Sequence, residues 1–228
     1  MFGWRGRAGL LFLCVLVMGI WLGAGAAQAA AFSSEVSSRR LQQSGMDLTY
    51  PVLHGCKQAA AEEKINADIY AYVMEQCRLA AQKKANIRMT YAIHYENSRL
   101  LSLQLTTYSY VAGTAHGEYM VHGAVYDKRD GARIPLPAAL KNFSPAALQS
   151  MVVSGEADVF AADGAERLSP ERVPGYLFDT VPEDYYIALE GGKPVVGLLF
   201  SDAPHALGLV HLLLPAQFLT KDIRERMD

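Results

Sequence analysis

The sequence predicts an α+β protein in which a long N-terminal helix packs on a largely antiparallel β-sheet. Three observations lead to this prediction. One long segment carries apolar residues at spacings of three and four, several later segments alternate apolar and polar residues, and short turn sequences separate them. A chain of 228 residues is long enough for one well-filled core, or for two small cores that share an interface.

The first 29 residues have the pattern of a secretory signal peptide. Arg5 and Arg7 precede an apolar run over residues 10–22, and Ala27, Gln28 and Ala29 form the best cleavage site. An uncleaved membrane anchor is the alternative, because the apolar and small residues together are long enough to span a bilayer. We expect cleavage, and therefore a secreted or extracytoplasmic protein of the cell envelope. The membrane is a partner only if this segment is retained.

The charge balance argues against nucleic acid as a partner. The chain has 21 Lys and Arg against 23 Asp and Glu, and removal of the signal peptide brings the net charge to about −4. A nucleic-acid-binding protein needs a concentrated basic face. The sequence also lacks the H-E-x-x-H, G-x-S-x-G and phosphate-loop motifs, so we predict no cofactor and no catalytic motif.

The segment after Cys56 predicts the long helix. It lacks internal Gly and Pro, and its apolar positions recur at helical spacing. These positions are Ala61, Ile65, Ile69, Tyr72, Val73, Cys77 and Ala80. A helix over about residues 57–83 separates Cys56 from Cys77 by about 30 Å, whereas a disulfide needs Cα atoms within about 7 Å. We therefore predict two free thiols.

The remaining chain is divided by its turn residues. Residues 30–44 are Ser-rich and lack apolar periodicity, which predicts a flexible lead-in. Residues 45–112 are predicted to hold a short strand, the helix and two alternating strands, and residues 113–220 to hold another strand, a short helix and a hairpin around Gly191 and Gly192. Residues 221–228 are charged and predicted to be an exposed tail.

The histidines are the main candidates for chemistry. His94 and His122 fall on polar positions of different predicted strands and could face each other, with His116 in the preceding loop. Three histidines could bind zinc, but their spacing is not diagnostic, so we predict ordinary surface and turn histidines and no metal site. His116 lies between Gly113 and Gly117, which favours a role in the shape of the loop over direct ligand contact.

A resemblance joins these segments. The run "AGTAHG" followed by "YD…DGARIPLPAAL" resembles the extracytoplasmic domain family of the anti-sigma factor RsiV. The run "EKINADI" after "YPVLHG" is similar to the N-terminal region that this family shares with the peptidoglycan deacetylase PdaC. The resemblance implies that residues 45–112 are this N-terminal region and that residues 113–220 are the RsiV-like C-terminal domain. The matched positions are His116 and Gly117 in the loop, and Asp127 and Gly131 in the following turn. Thr114 departs from the pattern, which has a glycine there.

The resemblance implies a binding role. The RsiV domain recognises lysozyme, so we expect a non-catalytic binding or sensing domain whose partner is a lysozyme-like hydrolase or a cell-wall glycan. Only nine residues precede the apolar run over residues 10–22, and the chain ends at Asp228. We therefore expect neither the sigma-binding part of RsiV nor the catalytic part of PdaC. The alternative is a cell-wall hydrolase or deacetylase that uses His116 as its acid or base, for which Asp127 is the only matched carboxylate.

Overall fold

The computed structural model describes residues 34–141, 143–161, 164–201, 203 and 205–228. The predicted signal peptide lies outside these residues. The α+β class is confirmed, but the strands form two mostly antiparallel sheets of five strands each, not one sheet. Within the described residues, no helix combines the length and the apolar character needed to cross a membrane.

The first sheet has the strand order β1-β2-β3-β4-β5. Its strands are β1 (Glu35–Gln43), β2 (Met46–His54), β3 (Ala85–Glu96), β4 (Leu100–Val111) and β5 (Glu118–Asp127). Helix α1 (Ala59–Lys83) connects β2 to β3, so these two strands pair in parallel, whereas the other neighbours are antiparallel. The helix therefore follows two strands and does not begin the fold.

Helix α1 covers one face of the first sheet. Its buried residues are Ala61, Ile65, Ile69, Val73, Gln76 and Ala80. They pack on side chains that alternate along the strands, as predicted for Ile87 and Met89 of β3 and for Leu101, Leu103 and Leu105 of β4. Cys56 precedes this helix and Cys77 lies inside it, and both are free thiols, as predicted.

The second sheet has the order β7-β6-β10-β9-β8 and is antiparallel throughout. Its strands are β6 (Asp158–Ala161), β7 (Glu166–Leu168), β8 (Tyr185–Glu190), β9 (Lys193–Phe200) and β10 (Val210–Pro215). The predicted hairpin is confirmed as β8 and β9. Gly191 and Gly192 connect these strands with φ of 56° and 78°, the left-handed conformation that a two-residue hairpin turn requires.

Helices α2 (Leu136–Ala139), α3 (Pro145–Ser154) and α4 (Lys221–Met227) cover the second sheet. Ser144 precedes Pro145, the first helical residue, and caps α3 by accepting a hydrogen bond from the Ala147 amide at 3.2 Å. The core beneath these helices also contains Leu100 of β4 and Val125 of β5. The two sheets thus share buried apolar contacts.

Two sequence predictions are wrong. The predicted flexible lead-in contains β1, which pairs with β2 along its whole length. Its side chains are half-buried or exposed, so this edge strand carries no apolar alternation to detect. The predicted exposed tail forms α4, which buries Ile223 and Met227 in the second core although most of its other residues are charged.

Candidate functional site

The loop between β4 and β5 holds the predicted residue His116. Thr114 organises this loop, because its hydroxyl donates to the carbonyl oxygens of Val111 at 2.8 Å and of His116 at 3.0 Å. Gly113 has a φ of 93°, as predicted for a glycine that allows the turn. The His116 side chain is exposed at the outer end of the loop.

Gly117 is required by close packing. A Cβ atom there would lie 2.4 Å from Cζ of Tyr108 and 2.6 Å from the carbonyl oxygen of Ser109. Its φ does not lie in the left-handed region, so the predicted need for conformational freedom is wrong at this position. The absence of a side chain at Gly117 lets the loop rest on the Tyr108 ring.

Tyr108 belongs to a row of side chains that crosses the sheet on the face opposite α1. The strand register aligns Asp47 of β2, Arg88 of β3, Tyr108 of β4 and Tyr119 of β5. We call these four residues the tyrosine row. The Tyr108 and Tyr119 rings lie 4.9 Å apart, and Tyr119 is 47% exposed. The exposed Tyr119 and the half-buried Tyr108 beside an exposed arginine form an amphipathic surface of the kind that is enriched in binding sites.

Asp47 carries the charge at the other end of the tyrosine row. It accepts hydrogen bonds from Arg40 Nε at 2.7 Å and Nη2 at 2.9 Å. These bonds hold the pKa of Asp47 below its ordinary value, and Arg88 adds to the effect. The pair with Arg40 is solvent-exposed, so it orders the surface more than it stabilises the fold.

The structure places Asp127 and Gly131 away from His116. Strand β5, from Glu118 to Asp127, separates the loop from the turn that contains them. The Asp127 side chain is 4% exposed and pairs with Arg129 and Arg226, each at 2.6 Å. Burial would raise the pKa of Asp127, but the bonds from Arg129 and the charge of Arg226 lower it overall. The Asp127 carboxylate therefore links the turn to α4 through its ion pair with Arg226.

Gly131 completes the same turn. Its amide donates to the Asp127 carbonyl oxygen at 2.8 Å, and its φ is 71°. A Cβ atom at Gly131 would lie 2.6 Å from the carbonyl oxygen of Ala61 in α1. The matched motif thus contains two separate parts: a loop with an exposed histidine, and a turn that packs on the helix.

A polar cluster that the sequence did not reveal lies at the edge of β5. The Asp184 Oδ1 atom lies 2.9 Å from His122 Nδ1, and it accepts hydrogen bonds from Arg133 Nη2 and the Gly123 amide, both at 3.2 Å. His122 also stacks on Tyr72 of α1 with 4.3 Å between the ring centroids. Burial is the main cause that raises the pKa of Tyr72 to about 12.

The adjacent carboxylates Glu183 and Asp184 differ: Glu183 is exposed, whereas Asp184 is half-buried and bonded to β5. A sequence signal for His122 did exist: it shares its strand parity with Ala124 and Tyr126, so it had to face the helix. The contact with Asp184 spans 62 positions of the chain, and strand periodicity carries no information about such a distance.

His94 and His122 do not face each other. His94 stacks on Tyr186 of β8 at 3.6 Å, whereas His122 stacks on Tyr72 of α1, so the two rings lie on opposite faces of the first sheet. In the part of the chain that the structure describes, no three His, Cys, Asp or Glu side chains come together as a metal site. The zinc alternative has no support in this geometry.

These features define a class of protein: an α+β domain with two sheets and an exposed tyrosine-rich sheet face next to a histidine loop. Residues 41–119, from β1 to the start of β5, match the family described as Deacetylase PdaC. This segment includes α1 and the His116 loop. A search of curated proteins gave no match.

Two solved structures share the fold. A DUF3298 family protein from Pseudomonas aeruginosa PAO1 is 14% identical over 84% of this chain and 96% of that chain, with a TM-score of 0.51. A DUF3298 family member from Bacteroides fragilis NCTC 9343 is 14% identical over 86% of this chain and 96% of that chain, with a TM-score of 0.53. The predicted resemblance to the domain family of RsiV and PdaC is confirmed. At this identity the two structures establish the fold alone.

Proposed function

We propose that the protein is an extracytoplasmic, non-catalytic binding domain that acts at the cell envelope. Its ligand is a protein such as a lysozyme-like hydrolase, or a cell-wall glycan. The binding surface consists of the His116 loop and the tyrosine row. The observation that carries the proposal is the contact between Gly117 and Tyr108, because it joins the matched loop motif to an exposed aromatic surface.

Two independent features support the location. The predicted signal peptide directs the chain out of the cytoplasm. Residues 41–119 match the PdaC family. In our sequence analysis PdaC is a peptidoglycan deacetylase, an enzyme that acts at the cell wall.

The geometry argues against Asp127 as the catalytic partner of His116. An acid or base at His116 needs a carboxylate or a metal within reach to orient it. Asp127, the matched carboxylate, lies at the other end of β5 and is held by Arg129 and Arg226. A binding surface needs only exposed side chains held by a rigid sheet, and the tyrosine row has this arrangement.

The test is capture of envelope components by immobilised protein. Insoluble peptidoglycan and envelope extract are offered separately, so that a glycan and a protein partner are distinguished. We expect Arg88→Ala and Tyr119→Ala each to reduce capture by about tenfold, the scale expected for a residue central to an interface. Tyr176→Ala is the matched control, because Tyr176 is 51% exposed but lies outside the tyrosine row.

His116→Ala separates binding from catalysis. We expect it to weaken capture and to lower the free energy of unfolding by about 1 kcal/mol or less, the scale of one hydrogen bond. Suppose instead that the purified protein hydrolyses or deacetylates peptidoglycan, and that His116→Ala abolishes this activity at an unchanged melting temperature. The histidine would then be catalytic, and the binding proposal would be wrong.

A further inference from the structure

Strand β5 is an edge strand of the first sheet. Among the described residues, its outward-pointing backbone groups have hydrogen-bond partners only in the second half of the strand. The Gly123 amide donates to Asp184, and the Gly123 carbonyl oxygen accepts from Arg133 at 2.8 Å. The Val125 carbonyl oxygen accepts from the Ile134 amide at 2.7 Å. Backbone groups that point outward from this half of the strand are therefore satisfied by the protein itself.

The first half of β5 is different. Backbone direction alternates along a strand, so residues with the parity of Gly123 and Val125 point their amide and carbonyl groups away from β4. Tyr119 and Val121 have this parity. Among the described residues, neither has a backbone partner on the outer side of the strand. Val121 is buried, which leaves Tyr119 as the accessible position.

A cleft lies beside this uncovered edge. It has a volume of about 310 Å³ and is bounded by β5 on one side and by the connection between β9 and β10 on the other. The lining residues are Glu118, Tyr119, Met120, Ser201, Ala203, Gly208 and Leu209. Glu118 is the charged residue among them. Its Oε2 atom pairs with Lys83 of α1 at 3.3 Å, but the Glu118 side chain is 61% exposed and can still contact a cationic group in the cleft.

We propose that this cleft binds an extended, basic peptide segment that adds to the edge of β5. The backbone of the peptide pairs with the amide and carbonyl groups of Tyr119, a basic side chain contacts Glu118, and a small apolar side chain packs on Leu209. Strand addition to an open sheet edge obtains affinity from the main chain and selectivity from alternate side chains. This inference rests on the proposed function and identifies the partner as a protein segment.

The edge itself argues for a peptide over a glycan. An outward amide and carbonyl pair on one residue matches the repeat of an extended polypeptide, which offers one carbonyl and one amide in the complementary positions. The neighbouring position Val121 is closed by its contacts with Tyr186, Leu199 and Leu209. Pairing therefore ends there, and the peptide continues past Glu118 toward the His116 loop.

The probe is a short fluorescent peptide that alternates lysine with valine, and its binding is measured by anisotropy. An N-methylated form of the same peptide cannot pair with a strand, and a form that alternates glutamate with valine tests the charge. Tyr119→Pro removes the outward amide, a change that an edge strand tolerates because that amide does not bond β4. Tyr119→Ala is the matched control, since it removes the side chain and keeps the amide.

We expect the lysine peptide to bind, and N-methylation or Tyr119→Pro to weaken it by about tenfold or more, as loss of the paired hydrogen bonds implies. Tyr119→Ala removes the ring but keeps the outward amide, so Tyr119→Pro should weaken binding more than Tyr119→Ala does. Glu118→Gln should reduce the preference for the lysine peptide over the glutamate peptide. Ser201→Trp fills the cleft from its other wall, so it tests the site without altering β5 and should also abolish binding.

The inference is overturned if the N-methylated peptide binds as tightly as the unmodified peptide, or if Ser201→Trp has no effect. It is also overturned if the full protein captures peptidoglycan through Tyr119 and binds no peptide, although the proposed function then stands. If neither peptide nor envelope material binds, both proposals fail.

Discussion

At the scale of single residues, Gly117 shows how a matched motif position can be required by packing. Its backbone angle is accessible to any residue, but the Tyr108 ring and the Ser109 carbonyl oxygen occupy the space of a side chain. We expect Gly117→Ala to lower the free energy of unfolding by about 2 kcal/mol, in the range of overpacking, and to displace Tyr108. Urea unfolding monitored by circular dichroism measures the loss.

Gly113→Ala is the control for Gly117. Gly113 has a positive φ, and no atom lies within 4 Å of its missing Cβ, so alanine meets backbone strain but no collision. This change should cost about 1 kcal/mol and should leave the Tyr108 ring in place. If Gly117→Ala is as stable as the parent protein, the loop can move off Tyr108, and the two parts of the binding surface are not coupled.

Asp127 predicts a dependence of stability on pH. Its pKa in the folded protein is lowered below the unfolded value, so its contribution to stability is present above the unfolded value of about 3.9 and is lost as the pH falls through the folded value. Asp127→Asn should lower the free energy of unfolding by roughly 3 kcal/mol at neutral pH, as expected for a buried ion pair that is broken. The variant should also lose less further stability on acidification.

The control for Asp127 is Asp222→Asn. Asp222 also pairs with Arg226, at 2.6 Å, but its side chain is 63% exposed, and exposed pairs contribute little. Thermal unfolding measured across the acidic range compares the three proteins. Equal acid sensitivity of the parent and Asp127→Asn would show that other carboxylates dominate the acid response.

At the scale of elements, the buried face of α1 carries the first core. Ile69 is 2% exposed and packs against side chains from the strands of the first sheet. We expect Ile69→Asp to prevent folding, because burial of an unpaired carboxylate costs several kcal/mol against a total stability of roughly 5–15 kcal/mol. Tyr70→Asp changes the next residue, which is 45% exposed, and should leave the fold intact. A soluble Ile69→Asp protein with the parent melting temperature would contradict this assignment of the face.

The elements that the sequence predicted well are those whose apolar pattern reports a single buried face. Helix α1 and strands β3, β4 and β5 belong to this group, as does the β8–β9 hairpin with its paired glycines. Strand β1 could not be found, since an edge strand with two partly exposed faces has no alternation. Helix α4 buries only Ile223 and Met227, too few positions to distinguish a short amphipathic helix from a charged tail.

The candidate site also contains some features that the sequence predicted and others that it could not predict. The His116 loop could be found because glycines and a histidine are visible in the sequence itself. The tyrosine row needs the register of four strands, and the uncovered half of β5 needs the sheet order as well. Both depend on which strands are neighbours, and local periodicity does not determine this.

At the scale of the whole molecule, contacts between the two sheets follow the edge of β5 and the start of β4. The Ile187 amide of β8 donates to Ser102 Oγ of β4 at 2.8 Å, and both residues are buried. The Tyr185 hydroxyl donates to the Ile134 carbonyl oxygen at 2.7 Å in the connection after β5. Because Leu100 and Val125 also enter the second core, we expect both sheets to unfold in one cooperative transition.

A substitution at Asp184 tests how far the contacts between the two sheets depend on one carboxylate oxygen. Its Oδ1 accepts from the Gly123 amide and Arg133 and lies beside His122, so one carboxylate satisfies the edge of β5 and positions the start of β8. The side chain is 28% exposed, which weakens each bond, and we expect Asp184→Ala to lower the free energy of unfolding by about 2 kcal/mol.

Hydrogen exchange gives the specific measurement for Asp184→Ala. The Gly123 amide should exchange faster in this variant, because its acceptor has been removed, while amides of β4 that bond within the sheet keep their protection. Glu183→Ala removes the adjacent exposed carboxylate and should change neither the stability nor the exchange of Gly123. Unfolding should remain a single transition in both variants, since the shared apolar core persists. If the Gly123 amide exchanges at the parent rate in Asp184→Ala, this carboxylate does not hold the sheet edge, and the other contacts between the two sheets are sufficient to order it.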